Sequence, residues 1–344
     1  MLDTKKQSDF LLEKSDLSNR QKSFKSYLKV MILCFLVVFS LDLLVSYFFV
    51  GKYIMGADNW IAVAQTRKKD IAKSISGKRI LIVSGSNALF GISAKKIYQE
   101  TGVPTVNLAT HAALGVKYTL DDAKTILKEG DIVLLPLEYS TYTWGGNFNE
   151  TYLKHVLSHD TNYFNNLSIS AKFNHVIQLS NIDILSSLVL YKDQQEVLSE
   201  LKAKALKKKC YTGFTLNEFG DELCNIGQKP LDVMPNALKI PKNYTIDPTG
   251  VIAEFLDWCK QNKIKVLALY PVMQKQDQYQ KEKYQIFFNK IKEYYQYNGT
   301  LLLGDPYQAT LPNELMFNTQ YHPNDRGRDI RTQQIISLIK PYIK

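Results

Sequence analysis

The apolar residues of this chain form one long segment near the N-terminus, followed by short runs that alternate with amphipathic stretches. Between Val30 and Val50 the only side chain that is charged at neutral pH is Asp42. At about 1.5 Å per residue, a helix of this length crosses the hydrocarbon core of a membrane, which is about 30 Å thick. The pattern predicts a transmembrane helix at 30–50, preceded by a tail at 1–29 and followed by a linker or stalk at 51–78.

The charges on either side of this segment predict its orientation. Four basic residues precede it, whereas Lys52 and Arg67 lie at similar distances after it. Because basic residues are enriched on the cytoplasmic side, we expect a cytoplasmic N-terminus and an extracytoplasmic main domain at 79–344. A cleaved signal peptide would have a shorter apolar region and a small-x-small cleavage site, which Met55-Gly56-Ala57 fits poorly. The preceding basic residues are Arg20, Lys22, Lys25 and Lys29.

Five short apolar runs in the remainder of the chain predict buried strands. Continuous apolar strands separated by helices imply a parallel sheet covered on both faces. The sequence therefore predicts an α/β fold, a flavodoxin-like doubly wound five-stranded parallel sheet. The predicted strands are Arg79 to Val83, Thr105 to Leu108, Asp131 to Leu135, Ile264 to Tyr270 and Leu301 to Leu303. The predicted helices are Ala94 to Thr101, Val116 to Lys128, Val251 to Asn262, Gln276 to Tyr297 and Asp325 to Tyr342.

Residues 141–247 interrupt this alternation. The segment is rich in aromatic residues, asparagine and lysine, with weak helical patterns at 168–190 and 195–209. We interpret it as a helical insertion over the carboxyl edge of the sheet, where open α/β sheets bind their ligands.

Composition narrows the range of partners. The net charge is +10, but the lysines are spread along the chain. Together with the predicted export, this favours anionic glycans or lipid head groups over nucleic acid, and simple solubility explains the charge equally well. Cys210 and Cys224 flank a short loop and are candidates for a disulfide in an oxidising compartment, whereas Cys259 lies in an apolar pattern typical of a core.

Asp42 stands out because a carboxylate near the middle of a bilayer is costly and usually has a polar partner. One interpretation is that the helix docks through Asp42 onto a multi-span membrane protein. The other is that a very apolar helix tolerates a single polar residue.

Candidate chemistry lies at the two ends of the predicted α/β domain. Ser86 stands in a turn of small residues directly after the first predicted strand, and His322 immediately precedes the last predicted helix. A serine exposed in the turn after a strand, together with a histidine near the C-terminal end of the domain, is the smallest set of side chains that a Ser/His acyl-transfer centre needs. The alternatives are that Ser86 caps a helix, a duty Asn87 would share, and that His322 packs under Tyr321.

These motifs resemble those of the SGNH/GDSL hydrolase superfamily. The resemblance is carried by Ile82-Val83-Ser84-Gly85-Ser86-Asn87, by the strand Val106-Asn107-Leu108, and by Tyr321-His322-Pro323-Asn324 with Gly327. Within the superfamily, the chain looks most like membrane-anchored members that add or remove acyl groups on cell-surface polysaccharide. The resemblance implies that Ser86 is the nucleophile and His322 the base, with no cofactor.

The chain departs from the family pattern around the histidine. The acid that usually precedes it by three residues is Thr319 here, with Asn318 just before. A Ser/His dyad is implied, unless Asn318 or Thr319 orients the imidazole or another acid, such as Asp305, reaches it. Asp305 alternatively caps the loop before Pro306.

The oxyanion site departs from the pattern as well. Alanines, among them Ala112, stand where the family usually has glycines, although their N–H groups still donate. Glu138 falls close to the position of the family's oxyanion asparagine, where a carboxylate would repel the developing charge. It would then turn toward a substrate hydroxyl or a basic side chain, be protonated, or form a structural ion pair. His111 lies in the same predicted crevice, as a substrate contact or a structural residue. Asn87, which follows Ser86, is a further candidate for contact with the oxyanion or the substrate.

A metal site is not predicted. His155 and His159 have the spacing of a two-histidine pair on a helix, but the intervening residues lack the metalloprotease glutamate and no third ligand is identifiable.

The sequence as a whole predicts a single-pass membrane protein that transfers acyl groups, most readily acetyl, to or from an envelope glycan. The alternative is a catalytically weak glycan-binding or assembly component of a polysaccharide modification or export machine. Lipase-like hydrolysis ranks third, because the Gly-x-Ser-x-Gly nucleophile elbow is missing.

Overall fold

The computed structural model describes residues 2–54, 56–179, 181–230, 232 and 236–343. Its centre is a five-stranded parallel sheet in the order β2-β1-β3-β4-β6, which confirms the predicted flavodoxin-like topology. The five strands of this sheet lie within one residue of the predicted bounds. The strands are β1 (Ile80–Ile82), β2 (Thr105–Asn107), β3 (Ile132–Leu135), β4 (Lys265–Leu269), β5 (Met273–Gln274), β6 (Leu301–Leu303), β7 (Thr310–Leu311), β8 (Met316–Thr319) and β9 (His322–Pro323).

Helices cover both faces of the sheet, as continuous apolar strands require. The helices are α1 (Leu2–Phe48), α2 (Trp60–Ser74), α3 (Ser86–Gly91), α4 (Ala94–Thr101), α5 (Val116–Lys124), α6 (Glu150–His159), α7 (Thr161–Asn166), α8 (Ile169–Ile177), α9 (Asn181–Val189), α10 (Gln194–Leu206), α11 (Val251–Gln261), α12 (Glu282–Tyr297) and α13 (Asp325–Ile339). Short 3-10 turns lie at Ala112–Leu114, Tyr139–Thr143, Asp277–Gln280, Asn313–Leu315 and Lys340–Tyr342.

Alternation of side chains along each strand gives the interior two large apolar clusters, one on each face of the sheet. On one face, Ile80 and Ile82 pack with residues of α3, α4 and α13. On the other, Val133 and Leu135 pack with residues of α5, α11 and α12. The sheet is thus buried on both sides, so a ligand can approach it only at an edge, such as the carboxyl ends of its strands.

The segment at 51–78 is not a simple linker, which corrects the sequence prediction. It contains α2, whose residues Trp60, Ile61 and Ala64 are buried in the core. Lys68 of the same helix is also buried, and its ammonium donates to the carbonyl oxygens of Asn107 (2.9 Å) and Ala109 (2.6 Å) just after β2. The folded domain therefore begins before residue 79.

A buried ion pair ties the entry to β1 to the entry to β3. Arg79 is only 2% exposed, and its guanidinium donates to both carboxylate oxygens of Asp131 at 2.9 and 3.0 Å. The same guanidinium donates to the carbonyl oxygens of Ala72 and Ile126. Since every polar atom of this pair is satisfied, the charge is tolerated inside the fold.

The insertion at 141–247 is helical in its first part, as predicted, and contains α6 to α10. Its later part returns to the carboxyl edge, where Asn225 Nδ2 donates to the carbonyl oxygens of Phe90 (3.2 Å) and Pro323 (3.0 Å). Cys210 and Cys224 form a disulfide in this returning segment. Cys259 is a buried thiol on α11.

The N-terminal helix α1 is continuous from the predicted tail through the predicted membrane span. Within it, Arg20–Phe48 is the one stretch of the described chain that is long and apolar enough to cross a membrane. Only the end of α1 approaches the domain, through α8 and α9.

Candidate active site

The turn after β1 is locked by a small hydrogen-bond network. Ser84 Oγ donates to the carbonyl oxygen of Pro136 at 2.6 Å, and Asn87 Nδ2 donates to Ser84 Oγ and to the same carbonyl, both at 2.9 Å. This network joins the turn to the chain leaving β3. It also corrects the expectation that Asn87 contacts the substrate, because its Nδ2 donates inside the turn and its Oδ1 is buried without a partner among the described residues.

Ser86 is the first residue of α3 and does not cap that helix. Gly85 occupies the N-cap position, with no side-chain capping hydrogen bond. Ser86 is 9% exposed, and its hydroxyl takes part in no hydrogen bond within the described part of the chain. Its environment is thus compatible with a nucleophile and not with the capping alternative.

Gly85 is required by close packing. A side chain at this position would come within 2.7 Å of the Cα of Ala112, and would also collide with Glu138. The absence of a side chain therefore lets the turn that carries Ser86 approach the segment after β2.

His322 lies on β9, and its ring packs on the same helix that begins with Ser86. The centroids of the His322 and Phe90 rings are 4.5 Å apart, and Phe90 is one helical turn beyond Ser86. The two candidate groups therefore share one side of α3. No hydrogen bond joins Ser86 Oγ to the ring in the described structure. Catalytic hydrogen bonds are often long before substrate binds.

Asn318 is the orienting partner of the imidazole. Its Oδ1 lies 2.7 Å from Nδ1 of His322, across the β8–β9 hairpin. Asn318 Nδ2 donates to the hydroxyl of Tyr211 at 3.3 Å, and this second bond assigns the oxygen to the side facing His322. The imidazole is then protonated on Nδ1, and Nε2 keeps the lone pair that a general base needs.

The other two candidates for this role are engaged elsewhere. Thr319 Oγ1 accepts the N–H of Tyr321 at 3.2 Å. Asp305 Oδ1 accepts the N–H groups of Tyr307 and Gln308. Asp305 therefore caps the loop that begins at Pro306 and makes no hydrogen bond to His322. The expectation that Asp305 reaches the histidine is therefore wrong in this structure.

His322 is held neutral. Burial, and to a smaller extent the nearby His111, lower the pKa of His322 from 6.5 to about 3. An asparagine supplies a hydrogen bond but no negative charge to stabilise the imidazolium. The imidazole is therefore neutral and able to accept a proton near neutral pH, but it is a weak base.

Replacing Asn318 by aspartate is expected to strengthen the base. A carboxylate beside Nδ1 favours the imidazolium, so the pKa of His322 should rise and an acidic limb should appear in the pH profile of kcat/KM for an acetyl ester. We expect an increase on the order of tenfold at neutral pH, since losing the acid of a serine protease triad lowers kcat by about 10,000-fold. Asn318 is exposed and Tyr211 can donate to the new carboxylate, so the cost to folding should be small.

The matched control is Thr319→Asp, which places the acid at the family's position but on a side chain not bonded to His322. An Asn318→Asp profile that follows wild type at every pH would contradict the orienting role of residue 318.

Glu138 is bound by backbone N–H groups, and not by the substrate hydroxyl or basic side chain that the sequence suggested. It is 3% exposed, and its carboxylate accepts the N–H groups of Gly85 (3.3 Å) and Asn87 (3.1 Å), with Ser84 Oγ at 3.5 Å. It has no ion-pair partner in the described structure. Glu138 thus holds the N–H groups on both sides of Ser86, which fixes the turn.

Two N–H groups remain for an oxyanion. Those of Ser86 and Ala112 donate to no acceptor within the described residues. The packing of Gly85 against Ala112 brings these two segments together. They are the donors that the turn and the segment after β2 offer to a tetrahedral intermediate.

His111 borders the same space. Its Nδ1 accepts the N–H of Ala113 at 3.0 Å, and its ring packs against Trp60 with centroids 6.0 Å apart. Burial lowers the pKa of His111, and the charges of Asp58 and Glu138 partly offset this. A neutral His111 therefore lies near Glu138 and His322 at the edge of the site.

The remaining histidine pair is structural. His155 Nε2 lies 3.1 Å from the hydroxyl of Tyr118, and His159 Nε2 lies 2.8 Å from Asn59 Oδ1. No group of three potential metal ligands occurs among the described residues.

Sequence reasoning missed Tyr211 and Trp60. Their rings pack with centroids 5.2 Å apart beside the imidazole and His111. The only available signal for Tyr211 was its place next to Cys210. For Trp60 there was none, because it lies in the segment interpreted as a linker.

No family model matches the chain, and no curated protein does. Among solved structures, it is similar to a GDSL-like lipase from Bacteroides thetaiotaomicron (TM-score 0.34, 11% identity, 82% of this chain and 98% of that chain) and to the protein YxiM from Bacillus subtilis (TM-score 0.32, 12% identity, 78% of this chain and 57% of that chain). The chain's own topology, a β2-β1-β3-β4-β6 parallel sheet with Ser86 after the first strand and His322 before the last helix, is a flavodoxin-like doubly wound α/β fold.

Proposed function

We propose that this protein is a membrane-anchored, extracytoplasmic acyl transferase or esterase, acting through Ser86 and His322 on a cell-envelope polysaccharide, with acetyl as the transferred group. The observation that carries the proposal is the bond from His322 Nδ1 to Asn318. It leaves Nε2 as the proton acceptor on the side of α3 where the unpartnered Ser86 hydroxyl lies.

In the proposed reaction, Ser86 Oγ attacks the acyl carbonyl carbon while His322 Nε2 takes the hydroxyl proton. The oxygen of the tetrahedral intermediate accepts the N–H groups of Ser86 and Ala112. The intermediate collapses to an acyl-enzyme, and the imidazolium returns its proton to the leaving alcohol. A glycan hydroxyl, or water, then attacks the ester with His322 again as base.

The membrane anchor supplies the location. An N-terminal helix long enough to span the bilayer, with its basic flank in the cytoplasm, would place the site on the outer side. Asp42 is half-buried near the end of this helix, and we propose that it contributes to docking on a multi-span protein that supplies acyl groups. Loss of a copurifying membrane protein in Asp42→Leu would support that partner, and unchanged copurification would remove it.

Labelling with a serine-reactive fluorophosphonate tests the enzymatic proposal directly. An activated serine is modified and an ordinary one is not. We expect modification of Ser86, detected by peptide mass spectrometry, and its loss in Ser86→Ala and His322→Ala. Ser337→Ala, an exposed helix position, is the control and should label like wild type. Absence of label on Ser86 in the folded wild-type protein would reject the proposal.

One observation favours a second candidate, a catalytically weak glycan-binding or assembly component. The Glu138 carboxylate binds the N–H groups on both sides of Ser86, where it opposes negative charge on an acyl intermediate. Under this alternative, glycan binding persists in Ser86→Ala and no acyl-enzyme forms in wild type.

A further inference from the structure

Helices α8 and α9 present an apolar surface that the rest of the described domain does not cover. Its side chains are between 44 and 88% exposed, at helical spacings that align them on one side of each helix. We name this surface the lipid face. It consists of Ile169, Phe173 and Ile177 of α8 and Ile182, Leu185, Leu188 and Val189 of α9.

The lipid face is continuous with the membrane anchor. The ring of Phe173 packs edge-on against Phe39 of α1, with centroids 6.0 Å apart. Phe39 lies nine residues before the end of α1 at Phe48, about 13 Å along the helix axis. If the membrane-spanning segment were shifted toward the N-terminus until Phe39 lay outside the hydrocarbon, Lys25 and Lys29 would lie inside it. Burying these two charges is more costly than keeping Asp42 in the span. Phe173 must then lie at the depth of the acyl chains.

The charged or titratable side chains of α8 and α9 each contact another group of the protein, and Asp183 has a partner of opposite charge. Asp183 pairs with the buried Lys154 at 2.7 Å. Lys172 Nζ donates to the carbonyl oxygen of Asn165 at 2.7 Å, and His175 Nε2 lies 2.7 Å from that of Leu153. Beside these contacts, the lipid face offers seven exposed apolar side chains, as a helix lying at a membrane surface does.

A cavity of about 610 Å³ opens beside this surface. The chain leaving the anchor, at Tyr53 and Ile54, lines one side, and Leu190 and Tyr191 after α9 line another. Its inner wall contains Trp60 and Tyr211, the two rings that also border His111 and Asn318. The cavity therefore extends from the level of the membrane surface to the wall of the candidate active site.

We propose that α8 and α9 are immersed in the outer leaflet beside the anchor, and that the cavity admits the head group of a lipid-linked amphiphile that serves as acyl donor or acceptor. The substrate half of this proposal rests on the proposed function. The apolar chain stays in the leaflet beside the lipid face, while the polar head passes between α9 and the residues at 56–60 toward Ser86.

Depth-dependent quenching tests the immersion without any need for activity. The full chain, with Cys34→Ser, carries an environment-sensitive fluorophore at Val189→Cys or, as a control, at Tyr297→Cys, which is 91% exposed on α12. In phosphatidylcholine–phosphatidylglycerol nanodiscs with brominated acyl chains, we expect at least about threefold more quenching at position 189 than at position 297. Equal quenching at positions 189 and 297 would overturn the proposal. Low quenching at position 189 because a second copy of the chain covers that residue would overturn it as well.

Fluorophosphonate probes with ethyl and hexadecyl tails test the substrate class in the same nanodiscs. We expect the long-tailed probe to label Ser86 on the order of tenfold faster than the short one. Leu185→Glu/Val189→Glu should abolish this preference and keep short-probe labelling, while Tyr297→Glu should retain both. Equal rates in wild type would reject the lipid-linked substrate alone. No labelling by either probe would reject the proposed function and this substrate with it, and quenching would still decide the immersion.

Discussion

Ser86→Ala is expected to lower kcat/KM for a small acetyl ester by at least about 10,000-fold, because the nucleophile and its base act as a unit. His322→Ala should cost about as much, since the serine hydroxyl then has no proton acceptor. The double variant should be no worse than either single one, because removing one member already disables the other. Steady-state hydrolysis by the full chain in detergent, at several pH values, measures all three.

Two comparisons make this result specific. Ser337→Ala should retain wild-type turnover, and His322→Gln, which leaves less of a void beside Phe90, should be as inactive as His322→Ala. Unfolding midpoints close to wild type would show that the loss is chemical. Substantial turnover in a folded Ser86→Ala protein would contradict the assignment of the nucleophile.

Arg79→Leu is expected to lower the free energy of unfolding by about 3–5 kcal/mol, the usual effect of removing one partner of a buried ion pair. Asp131 would keep a buried carboxylate without its guanidinium, and the carbonyl oxygens of Ala72 and Ile126 would each lose a donor. Urea unfolding of the full chain in detergent, followed by tryptophan fluorescence, measures the change.

Lys263→Leu is the control for Arg79→Leu. Lys263 pairs with Glu129 at 2.8 Å on the surface, where both side chains are exposed, so the midpoint should hardly move. Arg79→Leu/Asp131→Leu should recover much of the loss, because it leaves no unpaired charge. A single Arg79→Leu variant as stable as wild type would mean that the pair does not hold the strand entries together.

The sheet could be predicted from the sequence because its strands are uninterrupted apolar runs. Ile80–Ile82 and Ile132–Leu135 need no knowledge of their neighbours to be identified. Helix α2 could not be identified in this way, because the lysines around residue 68 resemble a solvated surface. Lys68 is tolerated inside only because carbonyl oxygens at the end of β2 accept its protons, an arrangement that exists only after folding.

The candidate site was predictable in its residue types and less so in its contacts. Position alone identified Ser86 and His322, but three side chains competed to orient the imidazole. The register of the β8–β9 hairpin decides for Asn318, because Thr319 pairs directly with His322 in the backbone and Asn318 reaches the ring across it. For Glu138, a position near the oxyanion could be predicted, but nothing in the sequence indicated that backbone N–H groups would bind its carboxylate.

The disulfide between Cys210 and Cys224 forms only in an oxidising compartment, so the conformation of the loop around it depends on where the chain folds. Tyr211, the residue that fixes the Asn318 amide, directly follows Cys210. In a reducing cytosol the thiols stay separate, and the loop that carries this tyrosine lacks its covalent tie. Under the proposed topology, a newly synthesised chain would therefore acquire a correctly aimed imidazole only after translocation, so that esters inside the cell are spared.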